Sequence, residues 1–399
     1  MIAFLLLALF SASPEGRTAA APPAGPVLDA IDRIVREQFW DAKRVGPDWD
    51  SAVRRAAAEL AKARTAPERD MVYDRLLGTL SDSHTFRMPP GFPERNWATA
   101  GLRIGRDGGG YAVKGILPGH AAERAGIRVG DRVLAVGGRR YGEERVNFRD
   151  LFFVFEGQAG TSVEVTWKGE GAGAEKTSRL TRDPEEPGDT LVWRSARVIE
   201  RDGKKYGYIR LWGISSETAL AVVDLLLDRE EASRAKPELK DWPWIEGVLL
   251  DVRGNSGGYD PDILTTFLSG RWSSGDYEVV TRDGSRIVPP AYRRLAVALL
   301  VNSGTASAGE ALALKFRAHA IGPIVGEQTA GMLSGGAAAE KLPDGSTLWL
   351  SRRAIRDLEG KSYEGEGVAP DVPVLDRPPI GPGREDAIVE AGIRALPGR

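Results

Sequence analysis

LAVALLVNSGTASAGE, residues Leu295–Glu310, is an unbroken apolar run that gives way to a small-residue turn and then opens a helix. A continuous apolar run of this length predicts a strand buried on both faces, whose carboxyl end is a fixed platform. Asn302, Gly304 and Thr305 supply the turn, and Ala308–Ala318 (AGEALALKFRA) has the composition and spacing of a helix. Ser307 therefore falls where a strand ends and a helix begins, beside backbone amides able to bind a developing oxyanion. Two readings stand open. Ser307, or Thr305, caps the helix; or Ser307 is a nucleophile held at the turn.

The neighbouring segments bear on that choice. Upstream, Ile245–Gly258 (IEGVLLDVRGNSGG) is a second apolar strand ending in a charged and then glycine-rich turn. Downstream come GPIVGEQTAG (Gly322–Gly331), LPDG (Leu342–Gly345) and YEGEGVAPDV (Tyr363–Val372). In this order the segments resemble the core of the C-terminal processing (tail-specific) and tricorn-type serine proteases, and the resemblance runs from about Leu28 to Val374. It implies an α/β protein: a protease core of the ClpP/crotonase sandwich type over 183–399, an N-terminal helical domain over 27–94 and an inserted PDZ domain over 95–182. The activity it implies is that of a serine endopeptidase or carboxyl-terminal processing peptidase, acting on a peptide or protein C terminus with no cofactor and no metal. Relatives on the same scaffold that bind without cleaving supply the alternative, an inactive binding module for peptides or apolar ligands.

Bulk properties agree with this reading. A net charge of −2 over 399 residues leaves no footprint for nucleic acid. The chain has no cysteine, hence no thiolate nucleophile, and its three histidines stand at unrelated positions, which argues against a zinc site. Ile2–Phe10 (IAFLLLALF) is too short to span a bilayer and is followed by small residues at Ser11–Ser13 and Ala19–Ala21. It reads as a signal peptide lacking a basic leading region, with Ala20–Pro26 a linker, and predicts a periplasmic or secreted protein.

Apolar spacing predicts helices over Leu28–Phe39, Asp48–Arg64 and Ala66–Leu80, with Asp50 and Thr65 as N-caps. The helical part ends in LSDSHTF (Leu80–Phe86). Within Asn96–Arg182, short strands around Tyr111–Ile116, the LPGHAAERAG segment (Leu117–Gly126) and VGDRVLAVGG (Val129–Gly138) resemble a PDZ domain. A PDZ domain takes a peptide's carboxyl terminus as an added strand, and Gly101, Leu102, Arg103 and Ile104 match its binding loop. His120, in the turn before the PDZ helix, is read as a surface residue. In the core, Tyr206–Trp212 is predicted as a strand and Ser215–Asp228 as a helix with Leu220, Val223 and Leu227 on one face.

The processing proteases of bacterial and plastid type pair their serine with a lysine twenty-five residues on; here that position is Met332, in TAGML. A thioether cannot take a proton from a serine hydroxyl, and neither Lys315 nor Lys341 obviously replaces the lysine. The tricorn-type branch offers a residue for every part. The resemblance implies His84 as base, Ser307 as nucleophile, and Ser83 with Glu364 orienting the imidazole, Glu366 being the competing glutamate. It also implies an oxyanion hole from the Gly257–Gly258 turn and the Ala308 amide. His319, three turns along the helix after Ser307, is read as structural.

Overall fold

The computed structural model describes residues 24–92, 98–169, 173–259, 261–270, 279–280, 286–287, 295–377 and 386–397. The Ile2–Phe10 run and the small residues after it, like Asn96, lie outside these. Among the described residues no helix is long and apolar enough to cross a membrane.

Three helices come first: α1 (Ala24–Gln38), α2 (Pro47–Leu60) and α3 (Ala66–Gly78). Ala24–Pro26, expected as linker, is the first turn of α1, where a proline sacrifices no hydrogen bond. Asp50 is not a cap: α2 is preceded by Gly46, and Asp50 lies inside its first turn. Thr65 does cap α3, its Oγ1 accepting from the Glu68 N–H while Glu68 Oε2 accepts from the Thr65 N–H. Ile31, Val35, Trp49, Leu76 and Leu77 pack with Leu342, Leu348 and Leu350 from the far end of the chain. The helices thus complete their core with a distant hairpin. The strand β1 (Phe86–Met88) leads on from them.

An antiparallel sheet follows, in the order β2 (Leu102–Asp107), β3 (Gly110–Ile116), β4 (Arg132–Val136), β5 (Ser162–Lys168), β6 (Lys176–Thr181). Two one-turn helices accompany it, α4 (Ala121–Arg124) and α5 (Phe148–Leu151). β2 is an edge strand. Its Leu102 and Ile104 join Phe148 and Leu151 in the apolar cluster. Arg103 and Gly105 turn toward the core instead: a Cβ on Gly105 would lie 2.5 Å from the Ser303 carbonyl, and one on Gly254 would lie 3.2 Å from Arg103 Cβ. Arg103 is fully buried with its guanidinium 3.7 Å from Glu156. It belongs to the joint between sheet and core, although its position matches the PDZ binding loop. Lys114 strengthens this joint, its Nζ lying 2.9 Å from Glu327 and 3.0 Å from Asp107. His120 is not on the surface either. It is 3% exposed, bonded through Nδ1 to the Pro118 carbonyl at 3.0 Å, and packed on Gly101 so closely that only glycine fits there.

The core is a six-stranded sheet with helices on both faces. In chain order its elements are β7 (Arg197–Arg201), β8 (Lys204–Arg210), α6 (Ser216–Leu227), β9 (Gly247–Asp251), α7 (Asp262–Leu268), β10 (Ala296–Val301), α8 (Ala308–Ala318) and β11 (Ile324–Gly326). After them come β12 (Ser334–Lys341), β13 (Thr347–Ala354), β14 (Val372–Pro373) and α9 (Ala387–Ala395). The order β7-β8-β9-β10-β11-β14 is parallel except at the β7 edge. Along β10, Val297, Leu299 and Val301 pack under α6, α7 and α8, while Ala298 and Leu300 pack under α9. Burial on both faces is why the sequence reads as one apolar run. In α6 the buried face runs through Ala219, Val222, Val223 and Leu226; Leu220, expected inside, is 46% exposed. The hairpin β12–β13 lies apart from this sheet and pairs with β1 in a second one.

Because Leu350 is shared by the helices and the hairpin, Leu350→Ala is expected to cost about 2–5 kcal/mol of unfolding free energy. Urea denaturation followed by tryptophan fluorescence measures it; a midpoint equal to the parent's would contradict the shared core.

Candidate active site

Ser307 stands at the N-cap position of α8 with φ +54°, a left-handed conformation that costs a non-glycine residue about 1–3 kcal/mol. Several bonds hold it there. Its N–H donates to the Met332 carbonyl at 3.0 Å and lies 3.2 Å from Glu310 Oε2, and its carbonyl accepts from the Glu310 N–H at 2.9 Å. Glu310 is completely buried and also accepts from Thr329 Oγ1 (2.6 Å), the Gly331 N–H (2.8 Å) and the Met332 N–H (2.8 Å). Burial pushes its carboxyl up to about 7 against these donors. Sequence reasoning did not single out Glu310, although Ser307-Ala-Gly-Glu310 has the spacing of a capping box.

The turn after β9 is locked to the turn after β10. Asn302 Oδ1 accepts from the Gly254 N–H (2.9 Å) and the Gly304 N–H (3.0 Å), and the Ala306 N–H donates to the Asn255 carbonyl at 2.9 Å. Thr305, the other candidate cap, spends its hydroxyl on the Val252 carbonyl at 2.8 Å. Arg253, buried, bonds Asp251 (2.6 Å), Asp376 (3.0 Å) and Asp386 (2.7 Å), and Asp376 in turn accepts from Asn302 Nδ2 at 2.6 Å. Gly257 rests on the nucleophile turn: a Cβ there would lie 2.5 Å from Ser307 Cβ. Its own N–H donates to Asn255 Oδ1 at 2.8 Å, so it is not available to an oxyanion as the sequence reading had allowed. Among the described residues, the amides of Gly258 and Ala308 donate to no protein acceptor.

His84 reaches this turn from the opposite layer. The loop between α3 and β1 places its Nε2 3.2 Å from Ser307 Oγ. Its Nδ1 lies 2.9 Å from Ser83 Oγ, which donates to Glu364 Oε2 at 3.0 Å. Glu364 also accepts from the Ser83 N–H (2.9 Å) and the Leu333 N–H (2.7 Å). Glu366 is exposed and lies 3.5 Å from Lys361, away from this line. The Phe148 ring of α5 packs on the imidazole at 4.6 Å between centroids, and the Phe148 N–H donates to the Ser83 carbonyl at 2.9 Å. Burial pushes the His84 imidazole below the usual histidine range, against the pull of the Asp82 carboxylate. Burial likewise pushes the Glu364 carboxyl up to about 7, and the charge of Asp82 adds to it.

Met332 occupies the lysine position with its side chain in the apolar cluster shared with Tyr111 and Leu151. Lys315 pairs with Asp262 and Lys341 with Thr347. His319 lies at the far end of α8, about 16 Å along a helix of eleven residues. Gly101 adjoins the edge of β2, but its N–H is taken by Thr99 Oγ1 at 3.1 Å. Two further side chains had no sequence signal. Asp82 lies in the same loop as His84, and Arg145 donates to the carbonyls of Ala330 (3.0 Å), Gly331 (2.7 Å) and Gly365. Among the described residues no group of His, Asp and Glu is arranged to hold a metal ion.

Comparison with known proteins bears on this arrangement. Residues 205–374 match peptidase family S41, and residues 113–169 match a PDZ domain. The chain is 28% identical over 392 residues to tricorn protease homolog 1 of Streptomyces coelicolor, covering 93% of this chain and 35% of that protein. It is 26% identical over 368 residues to the chloroplastic carboxyl-terminal-processing peptidase 3 of Arabidopsis thaliana, covering 85% of this chain and 66% of that one. The chain thus spans about a third of the length of the tricorn homologues it matches, 35% of one and 30% of another. Among solved structures, the photosystem II D1 C-terminal processing protease shares the fold, with a TM-score of 0.56 at 23% identity over 89% of this chain and 94% of that one. Its core thus carries a region that matches peptidase family S41, and the sheet ahead of it a region that matches a PDZ domain.

Proposed function

We propose that the chain is a serine peptidase that cleaves peptide bonds through an acyl-enzyme on Ser307, with His84 as general base. The observation that carries this is the continuous line from Ser307 Oγ through both nitrogens of His84 to Ser83 and Glu364, with contacts of 3.2, 2.9 and 3.0 Å. Ser307 attacks the peptide carbonyl as Nε2 takes its proton, and the imidazolium then delivers that proton to the departing amine. For Nε2 to accept, the resting proton sits on Nδ1, which Ser83 receives and Glu364 backs. The oxyanion falls to the amides of Gly258 and Ala308, each worth about 3–4 kcal/mol in comparable sites. Met332 is silent in this chemistry, so the base is the histidine. The substrate class is a peptide or protein C terminus, added as a strand along the β2 edge beside Gly101, Leu102 and Ile104. The relative named as a carboxyl-terminal-processing peptidase supports that class by its name. Export is part of the proposal, supported by the Ile2–Phe10 run.

Labelling with a fluorophosphonate tests the assignment. The parent is expected to label, Ser307→Ala not at all, and His84→Ala about 10²–10⁴-fold more slowly. A His84→Ala rate equal to the parent's removes histidine from the mechanism. A folded parent that binds C-terminal peptide yet never labels is a binding module.

The labelling rate against pH carries a second expectation. A base held below the usual 6.5 stays neutral there, so the main loss comes only as pH falls through the lower value. Glu364, which like Asp82 faces the imidazole, takes up a proton near 7; a shallow step near 7 is therefore expected first, absent in Glu364→Gln. A single complete loss centred at 6.5 or above would contradict this.

A further inference from the structure

The imidazole of His84 has a second neighbour at Nδ1. Ser334, the first residue of β12, places its Oγ 3.1 Å from Nδ1, beside Ser83 Oγ at 2.9 Å. Behind Ser334 stands the Asp82 carboxylate, on which five donors converge. Its Oδ1 accepts from Ser351 Oγ (2.6 Å), Thr85 Oγ1 (2.9 Å), the His84 N–H (3.1 Å) and Ser334 Oγ (3.3 Å), and its Oδ2 from Trp40 Nε1 (3.1 Å). Asp82, Ser334 and Ser351 are all buried. A hydroxyl carries one proton and two lone pairs. Ser334 can therefore receive Nδ1–H and donate to Asp82, just as Ser83 receives it and donates to Glu364.

We infer that His84 is oriented by two parallel hydroxyl–carboxylate arms, Ser83 with Glu364 and Ser334 with Asp82, and that Ser334 and Asp82 are positioning residues of the active site. This rests on the reading of Ser307 and His84 as nucleophile and base. Either arm alone holds the proton on Nδ1 and leaves Nε2 free to face Ser307. The arms enter from different parts of the fold. Ser83 and Asp82 belong to the loop after α3, Glu364 to the loop before β14, and Ser334 to the hairpin. Displacing the hairpin or the Glu364 loop thus leaves a hydroxyl at Nδ1.

Nuclear magnetic resonance of protein labelled with ¹⁵N-histidine tests this at neutral pH, with labelling by a fluorophosphonate as the second readout. Only three histidines are present, and His84→Ala identifies the resonances. Ser83→Ala and Ser334→Ala are each expected to keep the proton on Nδ1 and to label more slowly than the parent, by up to about 10-fold. The double variant is expected to shift the proton toward Nε2 and to lose labelling by about 10²–10⁴-fold, far more than the two single losses combined. Ser334→Thr in the Ser83→Ala background restores the hydroxyl and should behave as Ser83→Ala alone, which a merely structural serine would not require. Asp82→Asn in that background should match the double variant; if it fails to fold, Ser334→Ala carries the test. The inference is overturned if Ser83→Ala alone releases the proton from Nδ1, or if adding Ser334→Ala changes neither readout. Should the parent fail to label while the tautomer follows the expected pattern, the two arms stand and the peptidase reading falls.

Discussion

The contact of 3.2 Å between Ser307 Oγ and His84 Nε2 joins two parts of the molecule that share no sheet. Ser307 belongs to the end of the central strand β10, and His84 to the loop that leaves the N-terminal helices. Neither part alone can form the pair, so the geometry depends on how the helices are seated on the core. The hairpin β12–β13 does the seating. Its Leu348 and Leu350 complete the helical core, its Trp349 stacks on Phe86 of β1, and its first residue, Ser334, touches the imidazole. Apolar burial on one side and a buried polar network on the other thus fix one position for the base.

The nucleophile is held by different means. Its left-handed backbone is unfavourable, and the surrounding bonds outweigh that cost. Glu310 gathers the amides of Ser307, Gly331 and Met332 around one carboxylate, tying the start of α8 to the segment where relatives of bacterial type carry a lysine. Asn302 and Asn255 lock the two strand-end turns together, so the Gly258 and Ala308 amides and Ser307 are held by one network. Met332 fits this arrangement physically. Its thioether is buried in the apolar cluster with Tyr111 and Leu151. The PDZ sheet meets the same region through Arg145, Phe148 and Lys114, which makes it a wall of the cleft that holds Ser307 and His84.

Much of this was legible in the chain because it is written in local patterns. The apolar runs of β9 and β10, the turns that end them and the helix after Ser307 all follow from short-range periodicity. Ser83, His84, Ser307 and Glu364 came from motif resemblance, and the structure brings the four side chains together. What could not be read depends on contacts between distant segments. Asp82 adjoins a recognised motif, yet its partners Ser334 and Ser351 lie more than 250 residues away. Arg103 matched the PDZ binding loop, yet its side chain is buried beside Glu156, because alternation along an edge strand, and what lies behind it, cannot be fixed from one strand alone. His120 looked exposed because polar residues in turns usually are, whereas here Gly101 opens the space that buries it. Leu220 reversed that error, an apolar residue left outside while Ala219, Val222, Val223 and Leu226 take the buried face of α6.

The central claim is that Ser307 is an activated nucleophile facing a prepared oxyanion site, and a crystal structure of the protein treated with a fluorophosphonate tests it most directly. A phosphorus bonded to Ser307 Oγ is expected, with its oxygen directed at the Gly258 and Ala308 amides and Nε2 of His84 beside the adduct. An adduct on another residue, or one on Ser307 whose oxygen points away from both amides, would contradict it.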